Sequence, residues 1–375
     1  MTARFMREDG FHNEIYQLKM KSISVFTMRC GKRWEEENMD HQELIYFGGY
    51  TKTEEDGIRF LEYKSGSYSF GELKLAAKAQ NPSYLANGCG LLFACVETDR
   101  FLGRPGGGIC VYRREKDGTL TLLSSENTKG DYPCHLCVQQ ETRTVFVSNY
   151  GSGNLSAFSV DENGKLSCLA TMEHRLETGK KEAHAHCSAL SRDGKTLYAC
   201  DLGLDRVFVY DISKGAREME GVGEICFPEG SGPRHLLVSD GNLYVACELS
   251  NEIFVADAAS GKLLQAFSVL PKDAEGFAAA SAIYADWKRD LLAVSVRGVD
   301  GICFFERRKD GLLEKRSFLR LDGSFPRDIH LFPDGVVLAA YEKGNYAELF
   351  RLKDGNQMER LAQLEVSCPT RILPV

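Results

Sequence analysis

Histidine, arginine, carboxylate and amide side chains recur along this chain beside short apolar runs. Before such runs stand His135, His184, His186, Arg234, His235 and Arg327, and at the ends of others stand Asn149, Asp201, Glu248 and Arg297. Ionised groups are rarely buried without partners, so a set of this kind suits a water-filled pocket better than a packed core. A carboxylate can act as a general base, and a planar guanidinium group can bind phosphate or carboxylate. These residue types therefore predict a polar site that binds an anion.

The polar residues follow an internal repeat, which sets the elements that must position them. A strand-opening pattern recurs about every 50 residues, as Pro82-Ser-Tyr-Leu, Pro133-Cys-His-Leu, Ala183-His-Ala-His, Pro233-Arg-His-Leu and Pro326-Arg-Asp-Ile. A weaker copy, Ala280-Ser-Ala-Ile, stands between the last two. Each opening leads to further alternating runs separated by turns, which makes four short antiparallel strands per repeat. We therefore predict an all-β fold, a seven-bladed β-propeller of four-stranded antiparallel blades.

The blade boundaries follow from the spacing of the repeat. We predict blades at 41–80, 81–130, 131–180, 181–230, 231–275, 276–323 and 324–366. The first of these lacks its opening strand. The opening pattern reappears at the other end of the chain as Cys368-Pro-Thr-Arg-Ile-Leu. We expect this C-terminal strand to complete blade one and to remove an exposed sheet edge.

The geometry of a blade predicts where the polar side chains meet. The first strand lies nearest the axis and the second runs antiparallel to it, so the start of one and the end of the other lie at the same end of the channel. We expect the polar residues to line that mouth. The alternative is that Arg and Glu residues only join neighbouring blades, because structural ion pairs can imitate functional sites.

The segment before the repeat differs in composition from the rest of the chain. Residues 1–40 mix charged residues with Met and Phe, without the basic start and continuous apolar core of a secretory signal. We predict an N-terminal extension, poorly ordered or helical, over residues 1–40. A single propeller domain is expected over residues 41–375.

Composition and charge exclude several classes of function. The chain has a formal charge of −7 and contains no Lys/Arg run that would bind a phosphate backbone. No apolar stretch approaches the roughly 20 residues that span a bilayer. The 13 cysteines are an odd number and lie mostly in apolar runs, which favours free thiols in a reducing compartment. We expect a cytoplasmic monomer or small homo-oligomer that binds neither nucleic acid nor membrane.

Two pairs of residues have spacings that suggest a metal ion. Cys134 and Cys137 are three apart, which places them on opposite faces of a strand, and no second cysteine pair lies at a zinc-site interval. His184 and His186 share a strand face, but no carboxylate is clearly placed to complete a site. The chain also lacks a Gly-x-Ser-x-Gly nucleophile elbow. We predict no metal, no cofactor and no covalent serine mechanism.

Several strings of residues resemble a known family. They are Gly230-Ser-Gly-Pro-Arg234-His235, Asp201-Leu-Gly-Leu-Asp-Arg206, Ala183-His-Ala-His186 and Cys247-Glu248-Leu-Ser. From about residue 44 to its C-terminus the chain resembles the seven-bladed propeller lactonases, a family that contains 6-phosphogluconolactonases and carboxymuconate-cyclising enzymes. The resemblance implies a catalytic site of one histidine, two arginines and one glutamate, at His186, Arg234, Glu248 and Arg297.

The resemblance also implies a reaction, the hydrolysis of a lactone that carries an anionic group. The expected substrate is 6-phosphogluconolactone of the pentose phosphate pathway. Glu248 would direct water onto the carbonyl carbon as general base, and His186 would stabilise the oxyanion or protonate the ring oxygen. Arg234, Arg297 and Arg327 would hold the phosphate or carboxylate. Further substrate contacts are expected from His135, Asn149, His184, Asp201 and His235.

Two other functions remain open. A carboxymuconate-lactonising reaction needs the same anion-binding arginines and a proton donor. A non-enzymatic propeller that binds proteins would explain the blades equally well. Such scaffolds usually carry Trp-Asp blade signatures, however, and the only tryptophans are Trp34 and Trp287. A scaffold also gives no reason for His, Arg and Glu to recur at one strand end.

Overall fold

The computed structural model describes residues 42–176, 179, 181–353 and 357–375, so the extension expected over residues 1–40 lies outside the described residues. Within them, 31 strands form seven sheets of four or five strands and one two-stranded hairpin. The only helix in this part of the chain is a short 3₁₀ segment, Ala216–Glu218. None of the described helical structure is long and apolar enough to cross a membrane.

The strands are numbered β1 to β31 in chain order. Blade one contains β31 (Pro369–Pro374), β1 (Gln42–Gly49), β2 (Gly57–Lys64), β3 (Ser69–Phe70) and β4 (Lys74–Lys78). Blade two contains β5 (Leu85–Gly88), β6 (Leu91–Val96), β9 (Gly108–Arg114) and β10 (Leu120–Asn127), and its hairpin β7 (Arg100–Phe101) and β8 (Arg104–Pro105) follows β6. Blade three contains β11 (Pro133–Gln139), β12 (Thr144–Asn149), β13 (Asn154–Val160) and β14 (Leu166–Glu173).

The other four blades repeat this order. Blade four contains β15 (Ala185–Leu190), β16 (Thr196–Asp201), β17 (Arg206–Asp211) and β18 (Glu220–Cys226). Blade five contains β19 (Pro233–Ser239), β20 (Asn242–Cys247), β21 (Glu252–Asp257) and β22 (Leu263–Ser268). Blade six contains β23 (Ala279–Asp286), β24 (Leu291–Arg297), β25 (Gly301–Arg307) and β26 (Leu313–Arg320). Blade seven contains β27 (Pro326–Leu331), β28 (Val336–Tyr341), β29 (Tyr346–Lys353) and β30 (Gln357–Glu365).

The innermost strands form a closed circle. Each of β5, β11, β15, β19, β23, β27 and β31 contacts the inner strand of the blade before it and of the blade after it, and β31 returns to β5. Neighbouring strands within each blade pair antiparallel. The predicted seven-bladed propeller of antiparallel blades is confirmed.

The second strands are apolar on both faces because every blade packs between two others. β6, β12, β20 and β28 are buried at every residue, whereas the outer strand β22 alternates between half-buried and exposed positions. At one interface Phe304 of blade six packs with Val337 and Phe350 of blade seven. Strands buried on both faces read as continuous apolar runs, and burial of each large side chain contributes roughly 1.5–3 kcal/mol.

The last strand of the chain closes the ring, as the sequence predicts. β31 pairs antiparallel with β1 and is the inner strand of blade one. The hydroxyl of Thr370 donates to the carbonyl of Ser83 in blade two at 2.7 Å. On the other side, Asp328 of blade seven accepts the Ile372 N–H at 2.7 Å and pairs with Arg371 at 3.3 Å. The C-terminal strand therefore connects blades seven, one and two.

Uncharged histidines occupy the interior near the axis. The ring of His135 contacts that of Tyr84 in blade two, with centroids 4.3 Å apart, and lies 5.8 Å from that of His235 in blade five. Burial lowers the pKa of His135 to about 3. Burial also lowers the pKa of His330, on β27, to about 3. Both imidazoles are neutral at pH 7, and protonation opposes folding.

Removing residues 369–375 should open the ring. The deletion exposes the β1 edge and removes the buried Ile372 and Leu373, whose burial contributes roughly 1.5–3 kcal/mol each. We expect a lower thermal midpoint by calorimetry and concentration-dependent association by size-exclusion chromatography. Deletion of Val375 alone, which follows the strand, is the control. A truncated monomer that unfolds at the full-length temperature would contradict this closure.

Mild acid should destabilise the fold through its buried histidines. A histidine titrates near 6.5 in the unfolded chain and at about 3 in this fold. The unfolded state therefore binds more protons between these values, and the free energy of unfolding decreases as the pH falls below about 6.5. Urea unfolding across this range measures the slope. The His330→Gln variant should reduce the slope by about one proton, and an unchanged slope would show that His330 titrates normally.

Candidate functional site

A β-bulge near the start of the innermost strand displaces one residue from the ladder in five blades. The bulged residues are Cys134, His186, Arg234, Arg327 and Thr370. A bulge leaves its extra residue unpaired and can redirect that side chain. The charges of Arg234, in blade five, and Arg327, in blade seven, both act on His186, in blade four. Side chains from separate blades therefore meet around the axis, at the end of the channel we call the mouth.

A second ring of side chains comes from the residue directly after the second strand of each blade. These post-strand residues are Tyr50, Glu97, Tyr150, Leu202, Glu248, Gly298 and Glu342. In five blades the post-strand N–H donates to the carbonyl of the residue just before the inner strand, for example Glu248 to Gly232 at 2.7 Å and Glu342 to Phe325 at 3.1 Å. In blade two Glu97 donates to Asn81, which lies four residues before the inner strand. This backbone bond fixes the post-strand residue beside the bulge of its own blade.

Five of the carbonyls that accept these bonds belong to residues with left-handed backbones. Each directly precedes a proline, which in all cases but that of Asn81 is the first residue of an inner strand: Asn81 (φ 41°), Tyr132 (φ 51°), Gly232 (φ 63°), Phe325 (φ 70°) and Cys368 (φ 41°). For a residue with a Cβ this conformation costs roughly 1–2 kcal/mol. Left-handed residues also occur elsewhere in the fold, but at these positions the carbonyl of the left-handed residue holds the post-strand N–H.

Glu248 lies at the centre of a charged cluster. Its Oε2 is 2.9 Å from Nε of Arg234 and 2.7 Å from Nη2 of Arg297. The two arginine side chains are nearly buried, whereas 21% of the glutamate side chain remains exposed. The carboxylate is thus oriented by two guanidinium groups and still accessible from the channel. The structure brings together three of the four residues predicted as catalytic.

The arginines of this cluster are held away from water. Burial and then the nearby charge of Arg234 lower the pKa of Arg297 to about 10, although Glu248 opposes both effects. Burial likewise lowers the pKa of Arg234. Arg297 also donates from Nη2 to the carbonyl of Ala280 at 3.3 Å and lies over the ring of Phe325, 5.3 Å from its centroid. Two guanidinium groups share one carboxylate here, which favours the binding of another anion.

His186, the fourth residue predicted as catalytic, lies beside this cluster. Its ring is 5.9 Å from that of Tyr150 and 5.3 Å from that of His235, edge to face in both cases. Burial, followed by the charges of Arg234 and Arg327, holds the pKa of His186 well below its usual value. Its Nδ1 is buried and has no hydrogen-bond partner among the described residues. His186 is therefore a neutral imidazole with hydrogen-bonding capacity to spare.

A second charged group lies around Arg327. Nη1 of this arginine donates to Glu342 at 2.8 Å and Nη2 donates to the Tyr50 hydroxyl at 3.1 Å. Tyr50 in turn donates to Oε1 of Glu97 at 2.9 Å. Burial works against the Arg327 cation, but Tyr50 and Glu342 outweigh it, so the pKa of Arg327 is raised. Blades seven, one and two thus contribute a continuous polar network to the mouth.

Asn149 and Asp201 end their strands at the same position as Arg297, but they are engaged within the fold. Nδ2 of Asn149 donates to Oδ1 of Asn154 at 2.8 Å, and Oδ2 of Asp201 is 2.7 Å from Nδ1 of His174. Both residues are fully buried. The structure does not bring them to the Glu248 cluster.

The remaining residues predicted to contact substrate are three histidines near the starts of inner strands. His184 stacks on Tyr150, with ring centroids 4.5 Å apart, and Nε2 of His235 is 3.1 Å from Nη1 of Arg234. His135 follows the bulged Cys134 and lies one residue further along its strand. Their roles as substrate contacts stay predictions.

Sequence reasoning missed three polar residues of the mouth: Tyr50, Glu97 and Tyr150. The signal that finds them is their position, because each directly follows the second strand of its blade, as Glu248 does. Aligning the blades by strand ends, instead of by opening motifs alone, would have placed all of them in one ring.

The described residues contain no group of three or more His, Cys, Asp or Glu side chains that could hold a metal ion. The thiol of Cys134 instead donates to the carbonyl of His186, with Sγ and O 3.4 Å apart. Every cysteine in the described ranges is free.

Comparisons with known proteins agree with this fold. The chain is 30% identical over 322 residues to the 6-phosphogluconolactonase of Bacillus subtilis strain 168, covering 81% of this chain and 90% of that protein. The structure of the periplasmic gluconolactonase of Pseudomonas aeruginosa superposes with a TM-score of 0.81 at 26% identity, covering 89% of this chain and 99% of that one. A protein from Lactobacillus plantarum superposes with a TM-score of 0.79 at 25% identity, covering 89% and 100% of the two chains.

The family described as "Lactonase, 7-bladed beta-propeller" matches residues 44–374, which include every blade and the closing strand. The chain belongs to this lactonase family of seven-bladed β-propellers.

Proposed function

We propose that this protein hydrolyses a lactone that carries an anionic group, with 6-phosphoglucono-1,5-lactone as substrate and 6-phosphogluconate as product. The observation that carries the proposal is the Glu248 carboxylate, held between Arg234 and Arg297 and accessible from the mouth. The names of two relatives support the substrate class: the Bacillus subtilis protein is a 6-phosphogluconolactonase and the Pseudomonas aeruginosa protein is a gluconolactonase.

In this proposal Glu248 acts as the general base. It takes a proton from water as the water oxygen bonds to the lactone carbonyl carbon. The negative charge that develops on the carbonyl oxygen is stabilised by a guanidinium group and by an N–H of the neutral His186 imidazole. These donors are fixed by the fold and partly desolvated, which strengthens their interaction with the oxyanion.

The anionic group of the substrate binds to the arginines. Arg234, Arg297 and Arg327 face one end of the channel, and Glu248 and Glu342 are the carboxylates in direct contact with them. A guanidinium fork can bind two oxygens of a phosphate or carboxylate. The site therefore favours phosphorylated over uncharged sugar lactones.

Two alternatives share parts of this site. A carboxymuconate-lactonising enzyme would use the same arginines for carboxylates, so a carboxylated lactone belongs in every assay. A protein-binding scaffold would keep the Arg234–Glu248 pair for stability alone and would accelerate no lactone reaction.

We also propose a cytosolic location, which the free cysteines support.

Glu248→Gln should abolish most of the activity without unfolding the protein. Loss of the base should lower kcat roughly 10²–10⁴-fold, because an amide cannot accept the proton of the attacking water. Hydrolysis of 6-phosphogluconolactone is measured above its spontaneous rate, with and without chelator. The control is Glu306→Gln, which removes another ion-paired carboxylate, bound to Arg316 on the outer strands. A lower thermal midpoint in Glu248→Gln with kcat unchanged would identify a purely structural pair.

Arg297→Gln should weaken discrimination between charged and uncharged lactones. Loss of one charge-assisted hydrogen bond, about 1.5–3 kcal/mol, corresponds to roughly a 10–100-fold loss in kcat/KM for the phosphorylated lactone relative to glucono-1,5-lactone. Both substrates need Glu248, so an indirect effect of the substitution on Glu248 changes both kcat/KM values and cancels in their ratio. Arg307→Gln, whose arginine pairs with Asp240 and Asp290, is the control. An unchanged ratio would remove Arg297 from anion recognition.

A further inference from the structure

Ring opening of a lactone needs a proton as well as a base. When the bond between the carbonyl carbon and the ring oxygen breaks, that oxygen leaves as a hydroxyl group only if it receives a proton. His186 is a poor source, because burial and two arginines keep it in the neutral form. Glu248 lies between two cations and takes up a proton in the first step. Glu248 can return the proton that it takes from water, but the steps given above assign no separate acid to the ring oxygen.

Glu97 is a half-buried ionisable group at the mouth that this mechanism has not used. It follows β6 in blade two, in the position that Glu248 holds in blade five, and its N–H donates to the carbonyl of Asn81 at 3.1 Å. Its Oε1 accepts the Tyr50 hydroxyl at 2.9 Å. Its Oε2 is buried and has no hydrogen-bond partner among the described residues. A buried carboxyl oxygen without a partner is costly unless the group is protonated or meets a substrate atom.

We propose that Glu97 is the general acid of this site and that its carboxylic acid protonates the departing ring oxygen. The proposal rests on the lactone hydrolysis proposed above and assigns its missing proton donor. Blades two and five are separated by two blades on one side of the ring and three on the other. The acid and the base therefore approach a substrate in the channel from different sides.

The surroundings of Glu97 favour the neutral acid. The groups that act on it are Tyr50 in blade one, Arg327 and Glu342 in blade seven, Ser83 in its own blade, and the thiols of Cys95 and Cys134. Burial is the largest influence and raises the pKa of Glu97, although Ser83, Arg327 and Tyr50 oppose it. The Arg327 guanidinium is bound directly to Glu342 and to Tyr50 instead. Among the residues that the structure describes, Glu97 therefore has no ion pair with a cation, in contrast to Glu248.

The proton balance closes over one turnover. The water oxygen bonds to the carbonyl carbon while Glu248 accepts one proton from that water. The bond from this carbon to the ring oxygen then breaks, and Glu97 gives its proton to the ring oxygen, which becomes a hydroxyl group. Glu248 afterwards loses its proton to solvent and Glu97 regains one. The hydroxy acid product is released as its carboxylate. Two carboxyl groups with different environments thus divide the roles of base and acid.

The test is the pH dependence of kcat for 6-phosphogluconolactone, corrected for spontaneous hydrolysis. A general acid must be protonated, so the wild-type kcat should fall as the pH rises through the pKa of Glu97. Glu97→Gln should lower kcat roughly 10²–10⁴-fold, leave KM nearly unchanged and abolish this alkaline decline. The matched control is Glu348→Gln. Glu348 is a buried carboxylate that accepts the Tyr341 hydroxyl at 3.0 Å in the third strand of blade seven. This control should keep the decline.

A second variant covers the case in which Glu97→Gln does not fold. Tyr50→Phe removes the hydroxyl that donates to Glu97 and stabilises its ionised form, so the alkaline decline should move to higher pH. A decline that stays in place in Tyr50→Phe, or that persists in a folded Glu97→Gln enzyme, overturns the role of Glu97 alone. A wild-type protein that accelerates no phosphorylated or carboxylated lactone overturns the proposed function and, with it, this inference.

Discussion

Antiparallel pairing of the two innermost strands in each blade is the constraint on which the site depends. It places the start of one strand and the end of the next at the same end of the channel, seven times around the axis. A backbone bond such as that from Glu248 to Gly232 then fixes the post-strand residue beside the bulge. The side chains at these positions are free to differ between blades, because the backbone and the apolar second strands already hold the fold.

Equivalent positions become chemically distinct through their neighbours. Glu248, Glu342 and Glu97 all follow a second strand, but Glu248 meets two guanidinium groups, Glu342 meets one and Glu97 meets a tyrosine hydroxyl. At the third position burial raises the pKa of the Glu97 carboxyl and favours its protonated form. The repeat thus provides geometry, whereas charge partners from adjacent blades provide chemistry.

The sequence predicts the blades and their closure because both depend on local signals. Apolar second strands, turn residues and the displaced opening pattern near Pro369 are visible without any knowledge of contacts. The cluster of Arg234, Glu248 and Arg297 is also predictable, since their strand ends must coincide. Asn149 and Asp201 do not join this cluster, because the final residue of a strand and the residue after it point in different directions. Short side chains at the final position remain inside the blade. The environment of Glu97 is not predictable in this way, since it depends on Tyr50 from blade one and, through Tyr50, on Arg327 from blade seven, which is distant in sequence.

The strained backbone before the inner strands links this chemistry to stability. Tyr132 and Phe325 adopt left-handed conformations that each cost roughly 1–2 kcal/mol, and in return their carbonyls accept the N–H of Tyr150 and of Glu342. Burial between blades contributes roughly 1.5–3 kcal/mol for each large side chain, so a few interface residues offset the whole of this strain. The packing that closes the ring therefore keeps the post-strand residues in place. Relaxing a left-handed residue would release strain but would also free the N–H that positions the polar side chain at the mouth.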